Sequence, residues 1–234
     1  LAVLGVLALV VAVLLRQDAK ENGKKLWFFG LLEEQKAWLE ANYPGEFTYE
    51  ASRDDAEYIY EAEKLATYAG KKLHAKRNYC NRFEAAHPDW KFEPITGENR
   101  EAVLEFHSRW QTENEGSSEG LHKEACVVRC ALREMDELEM TGGVLTAGGR
   151  IYGFAVASMI NETLMDENIE KADGEEPGAY PMVCREMAKM MREKYPALTL
   201  INREEDTGDE GLRRSKESYS PVMLLQKYVT REVG

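Results

Sequence analysis

Only four cysteines (Cys80, Cys126, Cys130 and Cys184) occur in 234 residues. That is too few and too scattered for a disulfide framework, and no pair forms Cys-x-x-Cys. Cys126 and Cys130 fall with His122 on one helix face, but a closed metal site needs a fourth ligand, so no metal is expected. Buried free thiols in a reducing cytoplasm are the expectation instead. The chain also lacks a net positive charge. With 42 acidic residues against 30 Lys and Arg, its formal charge is −12, which argues against a wholesale nucleic-acid coat but leaves room for a local basic patch. Low-complexity sequence is missing as well. Seven prolines, 44% apolar and 31% charged residues exclude disordered and collagen-like classes. The length suits one large domain or two small ones of roughly 100 to 130 residues each.

Nor is there a full membrane-spanning run. Residues 1–15, LAVLGVLALVVAVLL, are unbroken in their apolarity, yet a spanning helix needs roughly 20 such residues. Arg16 to Gly23 then reads as the polar end of a helix with a glycine stop, and a strand at Leu26-Trp27-Phe28-Phe29 follows. The run is expected to be a core element of an α/β unit, with a signal or anchor fragment left open.

The first ninety residues alternate between strand and helix patterns. Strands are expected at Leu26–Leu31, Phe47–Tyr49 and Glu57–Tyr60, and helices at Glu33–Asn42, Ala62–Tyr68 and Lys71–Ala86. At Trp90 the pattern restarts. Trp90–Ile95 alternates as a strand, and a helix follows with Val103, Phe106, His107 and Trp110 on one face. After the polar loop Asn114–Gly120 comes a second helix, with Leu121, Ala125, Val128, Leu132 and Met135 on its apolar side. Gly143–Ala147, the Gly148-Gly149 turn and Ile151–Ile160 form a hairpin. Then follow a strand near Leu164–Ala172, a helix Met182–Tyr195, a strand Leu198–Ile201, a helix Glu210–Glu217 and a last apolar segment Val222–Val229.

From Trp90 the order β, α, α, β, β, β, α, β, α, β matches the GNAT acyltransferase fold. The expected class is therefore α/β with α+β mixed sheets, built as tandem modules. Residues 1–89 would form the first, incomplete at its start, and 90–234 the second. A generic α+β domain is the plainer alternative.

Two stretches stand out against the acidic background. Gly70–Phe83 holds five Lys or Arg, His74 and two aromatics within fourteen residues. If helical, Lys72, Lys76 and Tyr79 share a face, as do Arg77 and Asn81, and with Asn78 they suit contacts to phosphate or an RNA backbone. A solvated basic helix is the alternative. In the second stretch, Asn202, Arg203, Glu204, Glu205 and Asp206 follow a strand's C-terminal end, where open α/β folds place ligands. Glu204 or Asp206 would take a proton from an attacking hydroxyl or amine. Arg213 and Lys216 would bind an anion or stabilise an oxyanion, and Tyr219 would orient the acceptor.

Three motifs carry a family resemblance: Gly70-Lys71-Lys72-Leu73-His74-x-Lys76-Arg77-Asn78-x-x-Asn81-x-Phe83, then Ile169-Glu170-Lys171-Ala172-Asp173 through Pro177-Gly178-Ala179-Tyr180, and Asn202-Arg203-Glu204-x-Asp206-x-Gly208-x-x-Gly211-Leu212-Arg213-x-x-Lys216-x-x-Tyr219-x-Pro221. The sequence resembles the phosphatidylglycerol lysyltransferase C-terminal domain family, whose members are tandem GNAT modules. The resemblance implies transfer of an aminoacyl group from aminoacyl-tRNA to a lipid headgroup or other acceptor. Catalysis would fall to Glu204, Asp206, Arg213, Lys216 and Tyr219. Substrate contacts would come from Lys72, Lys76, Arg77, Asn78, Asn81, Lys171, Asn202 and Arg203. The implied partners are the tRNA acceptor end and an anionic lipid surface, at a cytoplasmic or peripheral inner-membrane location. No cofactor is firmly implied. Gly178 and Ala179 occupy the place where GNAT enzymes hold coenzyme A, but Asp173, Glu175 and Glu176 would repel its phosphates and Pro177 removes an N–H. An acetyl-coenzyme A-dependent N-acetyltransferase and a non-catalytic tRNA- or lipid-binding module stay open as alternatives.

Overall fold

The computed structural model describes residues 13–114 and 119–233, with side chains outside 114–123. Residues 1–12 of the apolar run, most of the polar loop and the side chain of His122 lie outside the described residues. In chain order the elements are α1 (13–21), β1 (Trp27–Leu31), α2 (Glu33–Asn42), β2 (Phe47–Ala51), a 3-10 turn (Arg53–Asp55), β3 (Glu57–Glu61), α3 (Ala62–Thr67) and α4 (His74–Ala86). Then come β4 (Lys91–Pro94), α5 (Arg100–Asn114), α6 (Glu119–Arg133), β5 (Thr141–Ala147), β6 (Arg150–Asn161) and β7 (Leu164–Ala172). The chain ends with α7 (Ala179–Lys194), β8 (Leu200–Asn202), α8 (Glu210–Glu217), β9 (Met223–Leu225) and β10 (Tyr228–Glu232).

These elements fall into two compact units that are not consecutive in sequence. The first comprises Leu1–Glu57, Glu205–Asp209 and Leu225–Gly234, the second Tyr58–Glu204 and Glu210–Leu224. The units therefore do not part at Asp89, which lies inside the second and accepts the Gly148 N–H at 2.8 Å. The reason is sheet pairing: β3, ahead of that point, pairs antiparallel with β8, far behind it.

In the first unit a three-stranded sheet runs β1-β10-β2, with β10 antiparallel to both neighbours. Arg16 of α1 lies over the Tyr43 ring at 4.7 Å and pairs with Glu46 and Glu232. Val13, Leu14 and Leu15, the described end of the apolar run, are exposed rather than in the core. Among the described residues no helix is long and apolar enough to cross a membrane.

The second unit is built on a seven-stranded sheet in the order β4-β5-β6-β7-β8-β3-β9. The hairpin joining β5 to β6 turns on Gly148 and Gly149, both at positive φ (56° and 76°), as a two-residue turn of this hand requires. Strand β6 is apolar at successive positions because both of its faces are covered. Ala155 and Ala157 face a core completed by α3, α4 and α7, while Phe154 and Val156 face a second core under α5 and α6. The last apolar segment is not one strand. Its start, as β9, joins the edge of the large sheet, and its end, as β10, becomes the middle strand of the small one.

Two local features shape the surroundings of β7 and β8. Helix α7 starts at Ala179, three residues earlier than its apolar spacing suggests, because Gly178 takes a φ of 100° at the N-cap. Pro181 then falls in the first turn, where a missing N–H costs nothing. Strand β8 runs parallel to β7 only from Leu164↔Leu200 to Asp166↔Asn202. Beyond that pair β7 continues to Ala172 while β8 has ended, so the pairing of the two strands stops there.

Candidate functional site

A bulge in β7 decides which of its side chains gather where that pairing stops. Between the pairs Val156↔Ile169 and Ser158↔Asp166, β6 advances two residues while β7 advances three. The extra residue puts Glu167 and Glu170, three apart, on the same face, although strict alternation would separate them. Met165 and Ala172 share that face with them, and Ile169 points to the opposite core.

Arg203 extends from the residue after β8 to meet both carboxylates. Its Nε lies 2.6 Å from Glu167 Oε2, and its Nη2 donates to Glu170 Oε2. The backbone holds it in place: Arg203 N–H donates to Tyr58 O at 3.0 Å, and Lys216 Nζ donates to Arg203 O at 2.5 Å. The guanidinium carbon lies 4.7 Å from the centre of the Tyr219 ring and 5.7 Å from that of Tyr60. The side chain is only 10% exposed, yet its Nη1 group has no hydrogen-bond partner. A buried, unsatisfied donor pair on a cation is costly unless a ligand or water completes it.

Electrostatics set one charge against two carboxyl groups. Burial pushes the Glu167 carboxyl up to about 8, overriding the attraction of Arg203, while the neighbouring Glu170 reinforces the shift. At neutral pH Glu167 therefore keeps its proton. Lys76 of α4 completes the group. Its ammonium stands 3.7 Å from the centre of the Tyr219 ring, and burial lowers its pKa. Cys184 on α7 lies beside them, fully buried, with burial driving its thiol pKa upward. Glu167, Glu170 and Cys184 have ligand atoms within 4.8 Å of one another, but Arg203 already supplies the positive charge there, so these residues do not suit a metal ion.

Of the residues singled out in the sequence, Lys76, Arg203, Lys216 and Tyr219 thus converge. Lys216 does so by donating to the Arg203 carbonyl, and its own carbonyl accepts the Tyr60 hydroxyl at 2.8 Å. Others serve elsewhere. Asn202 turns its Oδ1 back to the Glu204 N–H at 2.9 Å, shaping the chain reversal in which Glu204 has a φ of 55°. Asp206 belongs to the first unit, fully buried, where it pairs with Arg53 at 3.1 Å and accepts the Gly208 N–H at 3.0 Å. Arg213 is half-buried on α8.

The basic segment also divides. Helix α4 begins at His74, so Lys72 precedes it and is exposed. Arg77 points back to the carbonyls of Tyr68 and Gly70, tying down the end of α3, and Asn78 lies 3.1 Å from His74 Nε2. Asn81 is exposed. Lys171 is on the other face of β7 from Glu170, paired with Glu124 and 4.3 Å from the centre of the Trp110 ring.

Gly178 and Ala179 do not form a phosphate cradle. Both are buried, the Ala179 N–H is bonded to Glu176 O, and a methyl group at 178 would collide with the carbonyl oxygen of Tyr79. The glycine is there for the close crossing of α4 and α7. Two of the cysteines also depart from expectation: Cys80 and Cys184 are buried, but Cys126 and Cys130 are exposed.

Glu167 escapes sequence reasoning, and Glu170 enters it only as a member of the second motif, with no role given. The available signal was a strand, LMDENIEKA, with acidic residues at inward positions beside an apolar neighbour. The bulge that aligns them leaves no mark in the residue pattern.

The mixed sheet with helices on both faces is a GNAT-like fold, and solved structures superpose on it. Residues 10–231 match the family described as phosphatidylglycerol lysyltransferase, C-terminal, and the chain belongs to that family. A conserved protein of unknown function from Bacteroides thetaiotaomicron VPI-5482 superposes with a TM-score of 0.90 at 37% identity, over 96% of this chain and 75% of its own. L-PGS from Bacillus licheniformis gives 0.65 at 17% identity, over 92% of this chain and 70% of its own. The C-terminal domain of a putative lysylphosphatidylglycerol synthetase from Agrobacterium fabrum gives 0.65 at 12%, over 94% and 71%. The last two likenesses are of fold.

Proposed function

We propose that the protein transfers an aminoacyl group from aminoacyl-tRNA to a hydroxyl or amine acceptor, such as a lipid headgroup, at the cluster where β7 and β8 cease to pair. The observation that carries the chemistry is the unsatisfied Arg203 Nη1 beside the carboxyl groups of Glu167 and Glu170. The acceptor attacks the ester carbonyl carbon, and its proton passes to the Glu170 carboxylate. Negative charge growing on the carbonyl oxygen is met by Arg203 Nη1. The ester C–O bond then breaks, and the ribose hydroxyl leaves with the proton that Glu167 holds at neutral pH. The ester is already activated, so no covalent enzyme intermediate is needed.

The acid–base roles thus pass from Glu204 and Asp206 to Glu167 and Glu170, and oxyanion stabilisation from Arg213 and Lys216 to Arg203. The exposed Lys72, Asn81 and Arg82 remain free to meet the tRNA acceptor end or an anionic headgroup. Coenzyme A finds little support, because Gly178 and Ala179 are buried and the Ala179 N–H is already used.

The test is transfer of labelled amino acid from charged tRNA to lipid and to soluble amine or hydroxyl acceptors, with Arg203→Lys in parallel. The variant keeps the charge but loses the planar fork. Transfer by the parent chain and a loss of about 100-fold in the folded variant are expected. A parent chain inert with every acceptor, or an unimpaired variant, would sink the reading.

A further inference from the structure

Helix α6 carries two thiols that the proposed reaction does not use. Ala125, Val128 and Leu132 are buried, which fixes the rotation of the helix. Cys126 and Cys130, one turn apart, are left on its exposed side, whereas Cys80 and Cys184 are buried elsewhere. Val128 and Leu132 pack with Phe154 and Val156, so α6 covers the opposite face of the sheet from the Arg203 cluster.

Spacing decides what such a pair of thiols can do. Residues four apart on a helix hold their β-carbons about 5–6 Å apart, whereas a disulfide needs about 3.5–4.5 Å. Joining Cys126 to Cys130 would therefore distort a helix whose bonding continues past both, since the Glu134 N–H donates to Cys130 O at 2.9 Å. An ion between the sulfurs removes that demand. With metal–sulfur bonds of about 2.3 Å, the two sulfurs stand up to about 4.6 Å apart. Arg129 Nη2 lies 3.1 Å from Cys126 Sγ, so a cation already stands where the negative charge of a bound thiolate would fall. Among the described residues no third His, Cys, Asp or Glu ligand atom gathers with the pair. The site is open, and it suits soft ions satisfied by two sulfurs rather than zinc, which closes with four ligands.

We propose that Cys126 and Cys130 form a two-sulfur site for a soft, thiophilic ion of the Cu(I) or trivalent arsenic type on the outer side of α6. The probe is phenylarsine oxide. Each thiol gives up its proton, two arsenic–sulfur bonds form, and the arsenic–oxygen bond breaks. The oxygen leaves as water, and arsenic keeps its oxidation state. The reduced full chain is mixed with the arsenical, washed with excess 2-mercaptoethanol to strip arsenic held by a single thiol, and weighed intact by native mass spectrometry. One aryl-arsenic per chain is expected to survive the wash. Cys126→Ser and Cys130→Ser should each lose it, with retention about 100-fold weaker once two-point attachment becomes one-point. Both variants should keep the parent's melting curve, because the thiols are exposed. A parent chain that retains no arsenic, or a folded single variant that retains as much as the parent, overturns the proposal. So does ready formation of a Cys126–Cys130 disulfide in air with α6 still helical, because the spacing would then not separate the two outcomes.

Discussion

Arg203 answers two carboxyl groups with a single charge, and this imbalance has a consequence for stability that can be read against pH. Glu167 is pushed up to about 8 from an ordinary 4.5 because burial penalises its charged form more than Arg203 relieves it. Between those two values the folded protein holds a proton that the unfolded chain has released. The stabilisation from this group is therefore full below its unfolded value and is lost as pH rises through about 8. Its slope is at most about 1.4 kcal/mol per pH unit. The difference in unfolding free energy between the parent chain and Glu167→Gln isolates it from other titrations. That difference should fall steadily from about pH 5 to 8; a flat one would show that Glu167 is ionised in the folded state. Nothing in the residue pattern announces this pair. Arg203, Lys76 and Tyr219 stood out by their charge and motif, whereas Glu167 was one acid among many and Glu170 stood in a motif without a role.

At the scale of elements, most boundaries were legible because they rest on local chemistry. Pro44-Gly45 stops α2, Gly148-Gly149 turns the hairpin, and Pro196 follows the end of α7. What was not legible depends on neighbours. The bulge in β7 is defined by its register with β6, and the division of Val222–Val229 between two sheets by which edges are free to pair. Gly178 joins both kinds of argument. Its φ of 100° is reserved largely for glycine, and its α-carbon lies where a side chain would strike Tyr79 O. Gly178→Ala should therefore destabilise the protein by about 1–3 kcal/mol, moving the denaturant midpoint without changing the slope. Gly174 in the same turn has open space around it, so Gly174→Ala is the matched control and should be near neutral. Equal effects at the two positions would mean that the crossing of α4 and α7 does not depend on the glycine.

The whole molecule ties its first unit together with the last residues of the chain. Position 89 looked like a boundary because the strand pattern restarts there, yet pairing carries the chain back: β10 returns to stand between β1 and β2. Those two strands do not pair with each other, so β10 supplies the inner hydrogen bonds of both. Lys227, just before it, pairs with Glu57 at 2.9 Å and Glu205 at 3.1 Å, and the Gln226 amide donates to Ser52 O at 2.9 Å. All of these lie in the first unit. Isolated strands without a third partner are marginal in water, so ending the chain after Leu225 should release residues 27–31 and 47–51 from the sheet. The large sheet has its own seven strands and two cores and does not draw on β10. Hydrogen exchange followed by mass spectrometry distinguishes the cases. Protection should collapse over 27–51 in the truncated chain and persist over 141–172. If β1 and β2 keep their protection, the C-terminal strand is an accessory rather than the centre of the first unit. If protection falls everywhere, the two units do not fold independently of one another.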